Sequence, residues 1–167
     1  MTEAIVISAL VTNHSGVLTR VSSLFARRGF NIDSLTVGVT EDPRYSRVTV
    51  CSTCNEATKD QIVKQLGKLH DVKRIQVMDK NNSVFREMMM VKIAVPRDSI
   101  ANIMTSVDIF RGKIVDLGVE SITVQLTGES SKIDAFVDFL GQYEILELTR
   151  TGLTAIGRGK ECLKNRD

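Results

Sequence analysis

Four places in this chain carry residue types able to do chemistry. The first is Thr12-Asn13-His14-Ser15-Gly16-Val17-Leu18, which closes a strand-like run and opens a helix-like one. The N–H groups at a helix N-terminus lack intrahelical partners and sit at the positive end of the helix dipole, so such a loop suits a carboxylate. Gly16 lets a ligand approach the backbone, and Asn13 and Ser15 add short polar groups. The same residues also serve as ordinary caps and loop formers, so the loop alone leaves both readings open. The second place is Cys51-Ser52-Thr53-Cys54. On a straight strand an offset of three points the two thiols to opposite faces, and no His or carboxylate cluster lies near to complete a metal site. The third, Met88-Met89-Met90, reads as strand packing rather than as a soft-metal site. The fourth is the pair of histidines: His14 reads as a solvated loop residue, and His70 ends a helix in Leu69-His70-Asp71, a stretch that also reads as solvated. No nucleophile–base pair or phosphate loop is visible, and no catalytic residue, cofactor or metal site is assigned to this chain.

The elements that must hold these residues form one pattern twice. Glu3 to Val11 alternates as a strand, and Val17, Leu18, Val21, Leu24 and Phe25 then fall at helical spacing, with Gly29 as a stop. Asn31 to Val39 and Ser46 to Cys51 read as strands around a turn at Asp42-Pro43. Asn55 caps a helix bearing Ile62, Leu66 and Leu69, and Val72 to Met78 closes the unit. After Asp79 to Ser83, the most linker-like stretch, the order repeats. Val84 to Val95 is a strand, and Asp98 or Ser99 caps a helix with Ile100, Ile103, Met104 and Val107. Lys113 to Leu117 and Ser121 to Thr127 are strands. Ser131 and Asp134 make a capping box opening a helix with Ile133, Phe136, Val137 and Leu140, and Ile145 to Thr151 is the last strand. Letters repeat as well: Arg28-Gly29-Phe30-Asn31-Ile32-Asp33 stands 83 positions before Arg111-Gly112-Lys113-Ile114-Val115-Asp116, and Thr49-Val50 stands 74 before Thr123-Val124, as Leu66 does before Leu140. The expected fold class is α+β, with two tandem ferredoxin-like βαββαβ domains: 1–78, a linker at 79–83, 84–157, and a basic tail over 158–167. In the second copy the first loop, Val95-Pro96-Arg97-Asp98-Ser99, has no glycine and an acid where an anion would dock. If the chain has a carboxylate site, it therefore belongs to the first copy, and the second is then expected to dock or dimerise.

Bulk properties narrow the function class. The chain has 167 residues, 43% of them apolar and 25% charged, as in an ordinary soluble protein. A net charge of +2 and 5% aromatics, with none in Ile5-Val6-Ile7-Ser8-Ala9 or Arg47-Val48-Thr49-Val50, argue against an RNA-recognition module and against nucleic acid as a partner. No apolar run approaches the ~18 residues of a membrane span, so no membrane partner is expected. The first residues do not form a signal peptide, and three irregularly spaced cysteines make no disulfide framework. A reduced, cytoplasmic protein is expected.

Asn13-His14-Ser15-Gly16-Val17-Leu18-Thr19-Arg20-Val21, running on through Leu24-Phe25-Ala26-Arg27-Arg28-Gly29-Phe30-Asn31-Ile32-Asp33-Ser34-Leu35, resembles the small regulatory subunit of acetohydroxyacid synthase (acetolactate synthase). The likeness continues through Ser46–Val50, Arg86–Lys92, Ile109–Gly112, Lys132–Phe136 and Arg150–Leu153, and so covers essentially the whole chain. Cys51 and Cys54 are not part of it. The resemblance implies an N-terminal ACT domain followed by an ACT-like domain. The implied partner is a catalytic subunit that carries thiamine diphosphate, FAD and magnesium, which this chain activates and makes sensitive to feedback by valine or a related branched-chain amino acid. It also implies a homodimer with the effector at the seam between one chain's first loop and the partner's second strand. Residue by residue, Gly16 and Val17 N–H groups would hold the effector carboxylate. Asn13, with Ser15 beside it, would anchor the polar end from one chain and Asn31 from the other, while Leu18 and Ile32 would line the apolar wall. A neutral site of this kind suits a zwitterion. The alternative reading is a standalone double-ACT amino-acid sensor acting on a different enzyme or regulator.

Overall fold

The alternating run at the start of the chain becomes strand β1 (Glu3–Thr12), buried on both sides. Ile5, Ile7, Ala9 and Val11 enter the core beneath the helices, while Val6, Ser8 and Leu10 are buried on the opposite face. A computed structural model describes residues 2–160, 162 and 163 (backbone only at Arg97); Lys164 and Arg166 of the expected basic tail lie outside the described residues. After β1 come α1 (Val17–Arg28), β2 (Ser34–Val39), β3 (Tyr45–Cys54), α2 (Glu56–Leu66) and β4 (Val72–Val77). The sheet runs β2-β3-β1-β4 and is antiparallel throughout. Val17, Val21 and Phe25 of α1 and Ile62 and Leu66 of α2 close one core with Val48, Val50 and Cys54 of β3. Asn55 caps α2 as expected, its Oδ1 accepting the Thr58 N–H at 2.8 Å. Cys54 lies in this core, whereas Cys51 shares its face with Ser34 and Thr36; both thiols are buried.

The second unit, Phe85–Thr151, repeats the order with β5 (Ser83–Ala94), α3 (Ile100–Ile109), β6 (Lys113–Leu117), β7 (Ser121–Gly128), α4 (Ser130–Leu140) and β8 (Ile145–Arg150). Its strands run β6-β7-β5-β8. Met89, Val91 and Ile93 of β5 pack with Ile122, Val124 and Leu126 of β7 against Ile103, Val107, Ile133, Phe136 and Leu140 of the helices. Met89 is wholly buried there, the packing role expected of the methionine run, whereas Met90 is 39% exposed. Arg150 of β8 forms an ion pair with the buried Glu87 of β5 and with Asp134 of α4 at 2.8 Å. The hydrogen bonds that Arg150 donates to Glu87 and, less, to Asp134 raise its guanidinium above its ordinary value against the opposing effect of burial.

Several local expectations are corrected. β2 begins at Ser34, not Asn31, because Asp33 N–H bonds the Cys51 carbonyl and Asn31 precedes the ladder. Met104 is exposed, facing away from the stripe formed by Ile103 and Val107. Neither Asp98 nor Ser99 caps α3 by its side chain; a 3-10 turn over Arg97–Ser99 leads in instead. Helix α4 starts one residue early, at Ser130, so Ser131 lies inside it and forms no capping box. The repeat also aligns differently from its letters. Gly29 at φ 67° ends α1, and Phe30 N–H reaches back to Phe25; at the end of α3 the same bonds are made by Arg111, at φ 54°, and by Gly112 to Val107. Gly29 thus corresponds to Arg111 rather than to Gly112. Leu66 and Leu140 do correspond, each the buried last residue of its helix.

Beyond β8 the chain returns to the first unit. Thr36 of β2 donates its hydroxyl to the Leu153 carbonyl at 3.0 Å, and Arg158 N–H donates to Asn82 at 2.9 Å. Ala155, in the short strand β9 (Thr154–Gly157), is buried. Helical periodicity and turn signals report on neighbours along the chain, which is why a boundary read at 157 from such signals contains no trace of this return.

Candidate functional site

The Thr12–Gly16 loop is held from two sides. On one side Asn13 ties it to the β2–β3 hairpin. Its Nδ2 donates to the Pro43 carbonyl at 2.9 Å, its Oδ1 accepts from Ser46 Oγ at 3.1 Å, and its N–H donates to Arg44 at 2.7 Å. On the other side stands Asp71, whose carboxylate is nearly buried. Asp71 Oδ1 accepts from Thr12 Oγ1 at 3.1 Å and lies 3.0 Å from His14 Nε2, while Oδ2 accepts from Arg20 Nε at 2.6 Å. Thr12 N–H also bonds the Asp71 carbonyl at 2.9 Å. The Arg20 hydrogen bond, with that of Thr12, holds the Asp71 carboxyl below the usual carboxylate range although burial opposes this.

Between these anchors Gly16 adopts φ 84°, a left-handed conformation that glycine enters without penalty. It begins α1 with no side-chain cap, and the first turn of the helix carries no acid. The Gly16 carbonyl accepts the Arg20 N–H at 3.1 Å, so the helical ladder starts there and the N–H groups ahead of it face outward. Ser15 is exposed, its carbonyl 3.0 Å from His14 Nδ1. Val17 puts its side chain in the core, leaving only its backbone for a ligand, and Leu18, 44% exposed, turns outward.

Asn31 and Ile32 lie elsewhere. They follow the other end of α1, which spans 12 residues, or about 18 Å at the usual helical rise. Asn31 Nδ2 donates to Asp33 Oδ1 at 2.6 Å and its carbonyl accepts from Ser52 at 2.6 Å; Ile32 is half-buried against the core. A single chain therefore brings Asn13, Ser15, Gly16, Val17 and Leu18 together and keeps Asn31 and Ile32 away from them.

The residues missed in the sequence are Asp71 and Arg20; His14 is exposed, as a solvated loop histidine should be, and also lies beside Asp71. Nothing in Leu69-His70-Asp71 marks the acid as buried. A register shift between Leu10 and Val11 sets Val72 opposite Val11 and so brings Asp71 to Thr12, and such a bulge has no local signature here. A paired Arg20–Asp71 ion cluster thus flanks the loop.

Two family models match the chain: the acetolactate synthase (AHAS) small-subunit-like ACT domain over residues 7–74, and the small subunit of acetolactate synthase over residues 86–159. A probable acetolactate synthase small subunit of Methanothermobacter thermautotrophicus is 45% identical over 95% of this chain and 95% of its own length. The chain belongs to the acetolactate synthase small-subunit family. The isozyme 3 small subunit of Escherichia coli is 40% identical over 95% of this chain and 98% of its own. A crystal structure of the Thermotoga maritima small subunit superposes with a TM-score of 0.87 at 40% identity, covering 95% of this chain and 99% of that one. As a member of this family the chain is a regulatory subunit, with catalysis in a separate large subunit that is its partner. The described residues contain no group of three or more His, Cys, Asp or Glu able to hold a metal, and no helix among them is long and apolar enough to cross a membrane.

Proposed function

We propose that this cytoplasmic chain activates the acetolactate synthase large subunit and makes it subject to feedback inhibition by valine, sensed by the first units of two paired copies. The observation that carries this reading is the Gly16 loop: an uncapped helix N-terminus, free of acids and entered through a left-handed glycine, is a ready seat for an α-carboxylate. Asn13 and Ser15 border it from the same chain. Asn31 and Ile32 reach it only from a second chain running antiparallel, since they stand at the far end of α1. Strand β2 suits such pairing. It is a sheet edge with Val37 and Val39 43% and 60% exposed and no charge or proline to block another strand. Leu18, exposed beside the loop, supplies apolar wall for a branched side chain. Thiamine diphosphate, FAD and magnesium belong to the large subunit in this reading, and this chain binds none of them.

The test is reconstitution with the large subunit, with and without valine, alongside calorimetric titration of the full chain. Wild type should stimulate the enzyme and confer inhibition by valine. Gly16→Asp should keep the stimulation and lose the inhibition, because it sets a carboxylate where the effector carboxylate docks. Full valine inhibition in the Gly16→Asp complex would remove the loop from the site, and a chain that neither stimulates nor binds valine would sink the reading as a whole.

A further inference from the structure

We infer that Arg20 is the charge that reads the effector's carboxylate, held in place for that task by Asp71; this rests on the valine-site reading above. Arg20 stands one turn into α1, and its guanidinium folds back over the loop. Nε is committed to Asp71 Oδ2 at 2.6 Å, and Nη1 lies 3.3 Å from the point a Cβ on Gly16 would occupy. Neither Nη1 nor Nη2 has an acceptor among the described residues, so the outward fork of donors is unused. Asp71 cannot move to take them, since Thr12 and His14 occupy its other oxygen. The result is a cation fixed on its inner side and free on its outer side, close to the place a side chain on Gly16 would occupy.

This arrangement has a physical logic. A guanidinium already oriented by a carboxylate loses little side-chain freedom when an anion arrives, so more of the attraction survives as affinity. An N-terminal dipole alone attracts any anion weakly. A fixed cation beside it favours the fully charged carboxylate and bears on how strongly an amino acid is preferred over a neutral analogue. It also gives Gly16 a second constraint besides its φ: a side chain there meets the Arg20 fork, and an aspartate would compete with Asp71 for it.

Valine titration of the full chain as wild type, Arg20→Gln and Arg20→Lys, each at low and at high salt, tests the assignment. Arg20→Gln should raise Kd by about 10- to 100-fold, the loss of one charge-assisted contact. Its affinity should also depend on salt much less than that of wild type, because screening acts on the missing charge. Arg20→Lys, which keeps the charge, should stay within about 5-fold of wild type. A purely structural role for Arg20 would leave the salt dependence unchanged. Should Arg20→Gln fold poorly for want of a partner to Asp71, the double variant Arg20→Gln/Asp71→Asn replaces it. Wild-type-like affinity in the Gln variant, unaltered salt dependence, or a Lys variant as weak as Gln would each overturn the inference. Absence of binding by wild type would instead fall on the valine-site reading itself.

Discussion

Asp71 gathers Thr12, His14 and Arg20 on one carboxylate, and its charge is therefore worth more folded than unfolded. Because the folded carboxyl sits below its ordinary value, the ionised form favours the native state. That contribution is complete above the unfolded carboxylate pKa of about 3.9 and is lost as pH falls through the lower folded value. Asp71→Asn should accordingly melt below wild type by a constant margin from neutral pH to about pH 5, with the margin closing below about pH 4. Thermal unfolding followed by circular dichroism across that range checks this, and a margin that stays constant into strong acid would show that the pair does not bear on stability. Asn13 and Gly16, by contrast, were visible as candidates from their types alone. Tertiary structure added that Asn13 spends its amide on the β2–β3 hairpin and so fixes the placement of the loop.

At the scale of elements, the two copies end their first helices with the same geometry and different residues. Gly29 takes the left-handed position without cost, but Arg111 takes it with a Cβ. Such a conformation costs a non-glycine residue about 1–2 kcal/mol, partly offset by the greater chain entropy that glycine loses on folding. Arg111→Gly should therefore stabilise the second unit by about 0.5–1 kcal/mol, measured as a shift in the denaturant midpoint. No gain would mean that the Arg111 side chain makes contacts worth the strain. The elements themselves were legible because their patterns are local: period-2 alternation in β1, a 3.6-residue stripe in α1, an asparagine before α2. Starts were less legible where the deciding bond came from far along the chain, as at Ser34, where Cys51 sets the first residue of β2.

At the scale of the molecule, the segment after β8 crosses back to β2 and rests on it at Gly152. That glycine has φ 82°, and a Cβ there would stand 2.8 Å from Ser34 Cβ and 3.3 Å from Thr36 Oγ1. Gly152→Val combines a strained conformation for a β-branched residue with a clash against the Ser34 side chain, and should destabilise the first unit by about 2–4 kcal/mol. Loss of hydrogen-exchange protection in β2 is the specific sign. Unchanged protection there would mean that the return segment does not brace the strand. Strand β2 thus has its free edge toward the proposed second copy and one face toward the chain's own C-terminal segment.

Sequence alone determined the tandem βαββαβ order and, through the resemblance, the family, and it singled out the first loop over the second as the proposed carboxylate seat. Each rests on information written over a few neighbouring positions: a period, a glycine before a helix, a run of matching residues. Tertiary structure decided that Asp71 is buried against Arg20, that Asn31 stands a helix length away from Gly16, and that Gly152 lies on Ser34. These depend on strand register, on a bulge in β1 and on where the chain returns. Such features arise when distant segments settle their packing together, and no single stretch of residues encodes them.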